Sequence, residues 1–468
     1  LSAASAEIEG TLERRMNVHF TPKISRRTRF MRTCFCALAF GVAAAGAVAG
    51  CSSSPSGGAG TKADPEQLTI AIAWTGQQAA TMPPLLKIYN QEHPDVHWNL
   101  VENVTEQKLL AEEAAGDAPS AAILDTTNLV ASMATTGAIL PLKSYISSSK
   151  LNLNQFTTAS LYSNSYLGAQ YALPFFEDTY ALYYNKTMFA KAGIAQPPAT
   201  LSQLAADAKK LSITGANGQY TQLGFEPTMP KELEGYMFGG NWANAAGQVT
   251  ATSAATEEGV QWIVNMEKEL DPTKVQKFLA SSSGAVSALD PFSTGKVAMD
   301  VSGEWFMPTI KQQSPNLDYG VAPIPYPDGE PQYAGTGSVG GNPLVVLKGA
   351  PDTAAAWNLV DWLATTGQEI ATKTPSIFND VYSVPALKSL VNDTKLAPTP
   401  QMAFFWQYSG GKNIHPFPPV PDATTYLNAI SSAVQDSQLT SASVNSALQK
   451  VQSQYAPLIA SQIQSAQS

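Results

Sequence analysis

The chain has 468 residues, enough for two or three ordinary domains with sizeable cores and too many for a small disulfide-stapled or zinc-nucleated module. Hydrophobic residues make up 44% and charged residues 14%, a folded rather than disordered balance. Residues 1–50 hold seven Lys/Arg and three Asp/Glu, while the rest holds twenty-one basic residues, all lysines, and thirty-four acidic ones, so the body is acidic and lacks arginine; such a surface excludes nucleic acid and offers no guanidinium fork for an anion.

The front end reads as an export segment. The basic run Lys23 to Arg32 precedes an apolar stretch, Thr33 to Gly50, and then Cys51 with a Ser/Gly-rich sequence. Val48-Ala49-Gly50-Cys51 resembles the lipobox of a bacterial lipoprotein signal, which implies a diacylglyceryl group on Cys51 and Cys51 as the mature N-terminus. The apolar run is borderline in length for an uncleaved membrane anchor, and Arg26-Arg27 loosely matches a twin-arginine export motif with altered spacing. Residues 1–15 precede the first methionine, Met16, and read as an over-extended translation start. Cys34 and Cys36 would leave with residues 1–50, so the mature body would have no thiol for a disulfide, a nucleophile or a metal site. Residues 51–65 read as a lipidated flexible tether.

In the body, Leu68 to Trp74 alternates and predicts a strand ending in a loop. Met82, Leu85, Leu86 and Tyr89 recur at helical spacing. Residues 96–101 predict a second strand, 108–115 a short helix, and 121–124 a third strand closed by Asp125. This alternation predicts an α/β unit with a mainly parallel sheet, where ligands sit beyond the carboxyl ends of strands, at Trp74 and Asp125. A further helix is expected over 126–136. Tyr171 to Asp178 leads into Thr179 to Asn185, and helices follow near 201–211, 230–239, 255–268 and 273–281. Residues 319–325 and 343–347 are strand-like, 353–365 is helical, and the tail is helical again with Tyr426, Leu427, Ile430, Val434, Val444, Leu448, Val451 and Tyr455 on its apolar faces.

Three groups of residues, in this order, resemble the extracellular solute-binding proteins of ABC sugar importers, the group that includes maltose-binding protein. The first is Ala172-Leu-Pro-Phe-Phe-Glu-Asp-Thr-Tyr-Ala-Leu-Tyr-Tyr-Asn-Lys186 with Pro197-Pro-Ala-Thr200. The second is Phe292-Ser-Thr-Gly-Lys-Val-Ala-Met299 with Gly303-Glu-Trp305, and the third is Gly320-Val-Ala-Pro-Ile-Pro325 with Gly340-Gly-Asn-Pro-Leu-Val-Val346. The resemblance implies a periplasmic-binding-protein-like α/β fold, with two lobes joined by a hinge and a ligand cleft between them. One lobe would comprise 66–174 plus 320–370, the other 175–319 plus 371–468. It implies a monomeric, lipid-anchored receptor on the outer face of the cytoplasmic membrane, delivering a carbohydrate to the permease subunits of an ABC importer by cleft closure. No cofactor, metal or catalytic step is expected.

Sugars present flat C–H patches and a rim of hydroxyls, so their sites need aromatic faces with carboxylates and amides beside them. By the resemblance, Trp305 stands where an aromatic stacks on a pyranose ring, and Asp178 stands at a crossover position that carries a sugar-binding carboxylate, with Glu177 as its substitute. Trp74 and Asp125 join them at strand ends, although Asp125 could instead cap the next helix. Trp242 and Asn241 lie in a glycine-loosened loop, and Trp406 comes from the tail. Trp98, Trp262, Trp357 and Trp362 read as core. Gly335 to Gly341 lacks a phosphate-loop ending and is expected to be a loop facing the cleft. The alternatives are a glycoside hydrolase with paired carboxylates in the same cleft, or a receptor for a polyol or a glycerol phosphodiester.

Overall fold

Short β-branched and aliphatic runs form the strands of a central mixed sheet. β1 (Glu66–Ile72), β2 (Val96–Val101) and β3 (Ala121–Ile123) are parallel, with β1 in the middle: Leu68 lies opposite Trp98, and Ile70 opposite Ala121. Leu68, Ile70 and Ile72 pack into one apolar cluster and Ala71 into another, so both faces of this sheet are covered. The helix Met82–Glu92 joins β1 to β2 and buries Met82, Leu85, Leu86 and Tyr89. Its sequel Glu106–Ala115 ends at Gly116, whose φ of 76° is the left-handed conformation that favours glycine.

This computed structural model describes residues 65–282, 290–378, 382–440 and 442–467. The expectations for the signal, for Cys51 and for the tether up to residue 64 therefore lie outside the described residues. Among the described residues no helix is long and apolar enough to cross a membrane.

After the small hairpin of β4 (Ser165–Tyr166) and β5 (Ala169–Gln170) comes β6 (Leu173–Asn185), thirteen residues long. Next are β7 (Ile213–Thr214), β8 (Tyr220–Gln222), β9 (Met299–Gly303), β10 (Tyr319–Ala322), β11 (Gly337–Val346), β12 (Val384–Pro385) and β13 (Ile414–Pro416). The sheet runs β10-β6-β11-β3-β1-β2, with β9 and β12 also on β6 and β13 on β11. β6 serves two regions. Residues from Leu173 to Thr179 pair antiparallel with β11, and those from Tyr180 to Asn185 pair with β9 and β10. One strand thus carries the chain from the β1–β3 region into a second strand cluster.

Around the far end of β6 the fully buried Tyr183 packs against Phe292, Phe306, Tyr319 and Phe405. Its hydroxyl donates to the Gly303 carbonyl at 2.7 Å, which satisfies the one polar atom this ring brings inside. The two tail helices, Ala423–Leu439 and Val444–Gln467, bury the apolar residues that their periodicity identified.

Several boundaries differ from the expectation. β11 begins at Gly337, so most of the segment expected as a loop is strand. Gly341 takes a φ of 141°, and a β-carbon there would lie 2.2 Å from the Phe176 carbonyl; glycine permits this close approach to β6. The helix expected over 230–239 is shorter, Lys231–Tyr236, and a left-handed glycine, Gly239, follows it. The helix Thr353–Trp362 continues as a π-turn over Leu363–Gly367, where Gly367 makes room for the ring of Trp362.

Candidate functional site

A cavity of about 350 Å³ lies where the ends of β1, β3 and β9, the middle of β6 and the first half of β11 converge. Trp74, two residues beyond β1, forms part of its wall; the indole is mostly buried and stacks on Phe175 at 6.2 Å and 23°. Trp305, two residues beyond β9, is half-buried and stands at the N-cap of the helix Phe306–Gln313. The edge of Tyr180 meets it at 5.2 Å and 80°, which fixes the plane of its ring. Phe417, just after β13, adds a third apolar face.

Polar groups surround these rings. Asp125 follows β3, and its carbonyl accepts the Asn342 side-chain amide at 3.2 Å, tying β3 to β11 at the cavity. Asp125 is not a helix cap: the Asn128 N–H that opens the helix Asn128–Thr136 goes to Thr126 Oγ1 at 3.3 Å, which leaves the Asp125 carboxylate free of that duty. Asp178 lies opposite Gly340 in the β6–β11 register, where the absent side chain keeps space open before it. Glu232, from the helix Lys231–Tyr236, hydrogen-bonds Asn128 from the far side of the cavity. Gln78, Thr126, Thr127, Ser338 and Asn342 add further hydrogen-bonding groups.

The electrostatics are one-sided. Burial raises the carboxyls of Asp125 and Glu232 above the usual carboxylate range. Burial also raises Asp178, and the nearby Asp125 adds to the effect. Behind Asp178 stands Glu304, 0% exposed and hydrogen-bonded to it, whose carboxyl is pushed well upward by burial and by Asp178. No lysine or arginine is among the described residues that line the cavity. Such a site disfavours an anion and suits a neutral molecule that can exchange several hydrogen bonds while resting on an indole face.

The cavity brings together Trp74, Asp125, Asp178 and Trp305. The other four candidates lie elsewhere. Glu177 points to the opposite face of β6 from Asp178, as alternation requires; it is 1% exposed and accepts a hydrogen bond from the Thr157 hydroxyl. Asn241 ties its own loop, its side chain accepting the Trp242 N–H at 2.8 Å and its N–H donating to Thr256 Oγ1 at 3.1 Å. Trp242 is fully buried: its ring lies over Gly235, and its Nε1 donates to the Lys231 carbonyl at 2.6 Å. Trp406 sits inside the helix Pro400–Ser409 at 1% exposure, within the main core. Trp262, expected in the core, is half-buried and lines a separate surface groove with Phe238 and Tyr333.

Sequence reasoning missed Tyr180, Glu232 and Phe417. Tyr180 carried a usable signal, because it follows Asp178 by two on a strand and must share its face. Glu232 and Phe417 carried none, since each reaches the cavity only through the packing of distant segments.

The family profile for bacterial extracellular solute-binding proteins matches residues 73–370. The maltotriose-binding protein of Pyrococcus abyssi is 25% identical over 324 residues, covering 66% of this chain and 64% of that protein. The sn-glycerol-3-phosphate-binding periplasmic protein UgpB of Salmonella typhimurium is 29% identical over 316 residues, covering 60% of this chain and 70% of that one. Among solved structures, CpMnBP1 with mannotriose bound superposes with a TM-score of 0.71 at 26% identity, over 83% of this chain and 99% of the other.

Proposed function

This chain belongs to the family of bacterial extracellular solute-binding proteins, and from that premise we propose that it captures a short, uncharged saccharide in the Trp74–Trp305 cavity and hands it to an ABC importer. The observation that carries this reading is the meeting of two indoles with Asp125, Asp178 and Glu232 in one cavity whose described lining has no cationic side chain. Indole faces cover the C–H patches of a pyranose, and the carboxylates accept from adjacent hydroxyls. About 350 Å³ lies near the lower end of ordinary ligand sites, roughly 300–1,000 Å³, which favours one or two enclosed rings. The mannotriose bound by CpMnBP1 and the name of the maltotriose-binding relative support a carbohydrate.

Two lobes, 66–174 with 320–370 and 175–319 with 371–468, would close on the ligand about β6. The protein acts as a monomeric receptor and not as an enzyme. Cys51, behind Val48-Ala49-Gly50, carries the lipid that holds it at the outer face of the cytoplasmic membrane. Labelling with radioactive palmitate, lost in Cys51→Ser, checks the anchor.

Similarity to UgpB makes a glycerol phosphate ester the second reading. A phosphate facing three carboxylates without a cation is disfavoured by repulsion and by desolvation. Calorimetry with mannotriose, maltotriose, sn-glycerol 3-phosphate and glycerophosphocholine separates the two. Binding of a saccharide, with no product formed on long incubation, is expected. Binding of a phosphate ester with silence for both saccharides would overturn the carbohydrate reading.

A further inference from the structure

We propose that Glu304 is a positioning residue, which holds Asp178 in its ligand-facing orientation by sharing a single proton with it. Glu304 lies immediately after β9, in the stretch that continues the β6–β9 pairing beyond Tyr180 and Gly303. Its side chain is 0% exposed and does not line the cavity; Asp178 does. Glu304 Oε2 accepts the backbone N–H of Thr179 at 3.2 Å, so one oxygen is anchored to β6. Among the described residues no donor reaches the other oxygen, Oε1, which is fully buried. What the Glu304 side chain does meet is the Asp178 carboxyl, with which it shares a side-chain hydrogen bond.

Two carboxylates are both acceptors, and they cannot hydrogen-bond without a proton between them. Two negative charges placed side by side in a buried site repel strongly, so one proton is retained near neutrality. The backbone N–H groups of Thr179 and of Glu304 itself donate to the Glu304 carboxyl, but no cation is among the described groups that face the pair. Asp125 follows β3, Glu177, Tyr180 and Tyr183 share β6 with Asp178, and Glu232 reaches in from its helix; each is neutral or negative, and burial or neighbouring negative charge disfavours ionisation of the pair from every side. The pair therefore carries one negative charge and one proton. The protonated partner, anchored through Thr179, donates to the other, and Asp178 presents its remaining lone pairs to the cavity. A single shared charge also explains how an acidic site can accept from neutral hydroxyls without the full repulsion of two carboxylates.

The consequence for ligand binding rests on the saccharide reading; the shared proton does not. The test uses the mature chain and has two readouts. Infrared difference spectra of the wild type against Glu304→Gln, both with 13C-labelled glutamate, are expected to show near neutral pH the carbonyl stretch of the Glu304 carboxylic acid, since the bands of Glu177 and Glu234, common to both proteins, cancel. Absence of that band in the wild type would overturn the proposal whatever the ligand. In calorimetry with mannotriose, Glu304→Ala is expected to weaken binding by about tenfold or more, and Glu304→Gln, whose amide can still donate to Asp178, to recover most of that loss. The wild type should bind progressively less well at alkaline pH, as the shared proton leaves, and Glu304→Gln should not show this decline. Equal weakness of the two variants with native circular dichroism, or identical pH profiles for wild type and Glu304→Gln, would reject a positioning role. If neither mannotriose nor maltotriose binds the wild type, the ligand reading fails, and the infrared band still decides the pair.

Discussion

A β-carbon placed on Gly303 would lie 2.0 Å from Cζ3 of Trp305, so the indole lies directly over the backbone two residues before it. Gly303 is also the residue opposite Tyr180 and the acceptor for the Tyr183 hydroxyl. The glycine of Gly-Glu-Trp is thus a seat for the aromatic platform. Gly303→Ala should tilt the ring away and weaken saccharide binding by about tenfold or more, while the thermal midpoint moves much less than after a core truncation. Calorimetry beside thermal unfolding separates the effects. Unchanged affinity would mean that the platform is elsewhere.

Within the cavity, truncating the half-buried platform should hurt binding more than folding. Trp305→Ala is expected to lower affinity by roughly 2 kcal/mol, about thirtyfold, as for a buried aromatic anchor. Asp178→Asn should weaken binding too, because it replaces an acceptor-only group by one that must present a donor to part of the same ligand.

Trp242 should behave in the opposite way. It is fully buried and its Nε1 is bonded to the Lys231 carbonyl, so Trp242→Ala leaves a large void and removes that hydrogen bond. A loss of about 3–5 kcal/mol in folding stability follows, measurable by urea unfolding. Affinity in the fraction that remains folded should hold near the wild-type value. Weak binding with native stability would return Trp242 to the ligand site.

Stability should fall as pH rises through the neutral range. Burial pushes the carboxyls of Glu177 and Glu234 up to about 7 from the usual 4.5. The folded state therefore keeps protons that the unfolded chain releases near 4.5. Their contribution is complete below about that pH and is lost as pH rises through about 7. The ligand-free thermal midpoint is thus expected to be higher near pH 5 than near pH 8, with a smaller difference in Glu177→Gln. A midpoint that climbs over this interval would contradict the burial of these groups.

Local pattern alone carried much of the architecture. The strands of the β1–β3 region, the helix Leu201–Leu211 with its Thr200 and Gln203 capping box, and the buried stripes of the two tail helices all follow from periodicity and capping chemistry, which act between residues close in sequence. Trp74 and Asp125 were legible as cavity residues because each lies just beyond a strand end, a position that topology exposes to a shared opening, whereas Asp178 and Trp305 were marked by the resemblance to the solute-binding family. Trp242, Trp406, Glu177 and Asn241 were not separable from them by residue type. An indole serves equally as core and as platform, and whether its ring faces a void or another side chain depends on contacts between segments far apart in the chain. Tertiary packing alone brought Glu232 to Asn128, set Phe417 against the cavity and pressed the Glu304 carboxyl onto Asp178. Those relations arise where β6, β9, β11 and the tail converge, and no interaction within a single segment encodes them.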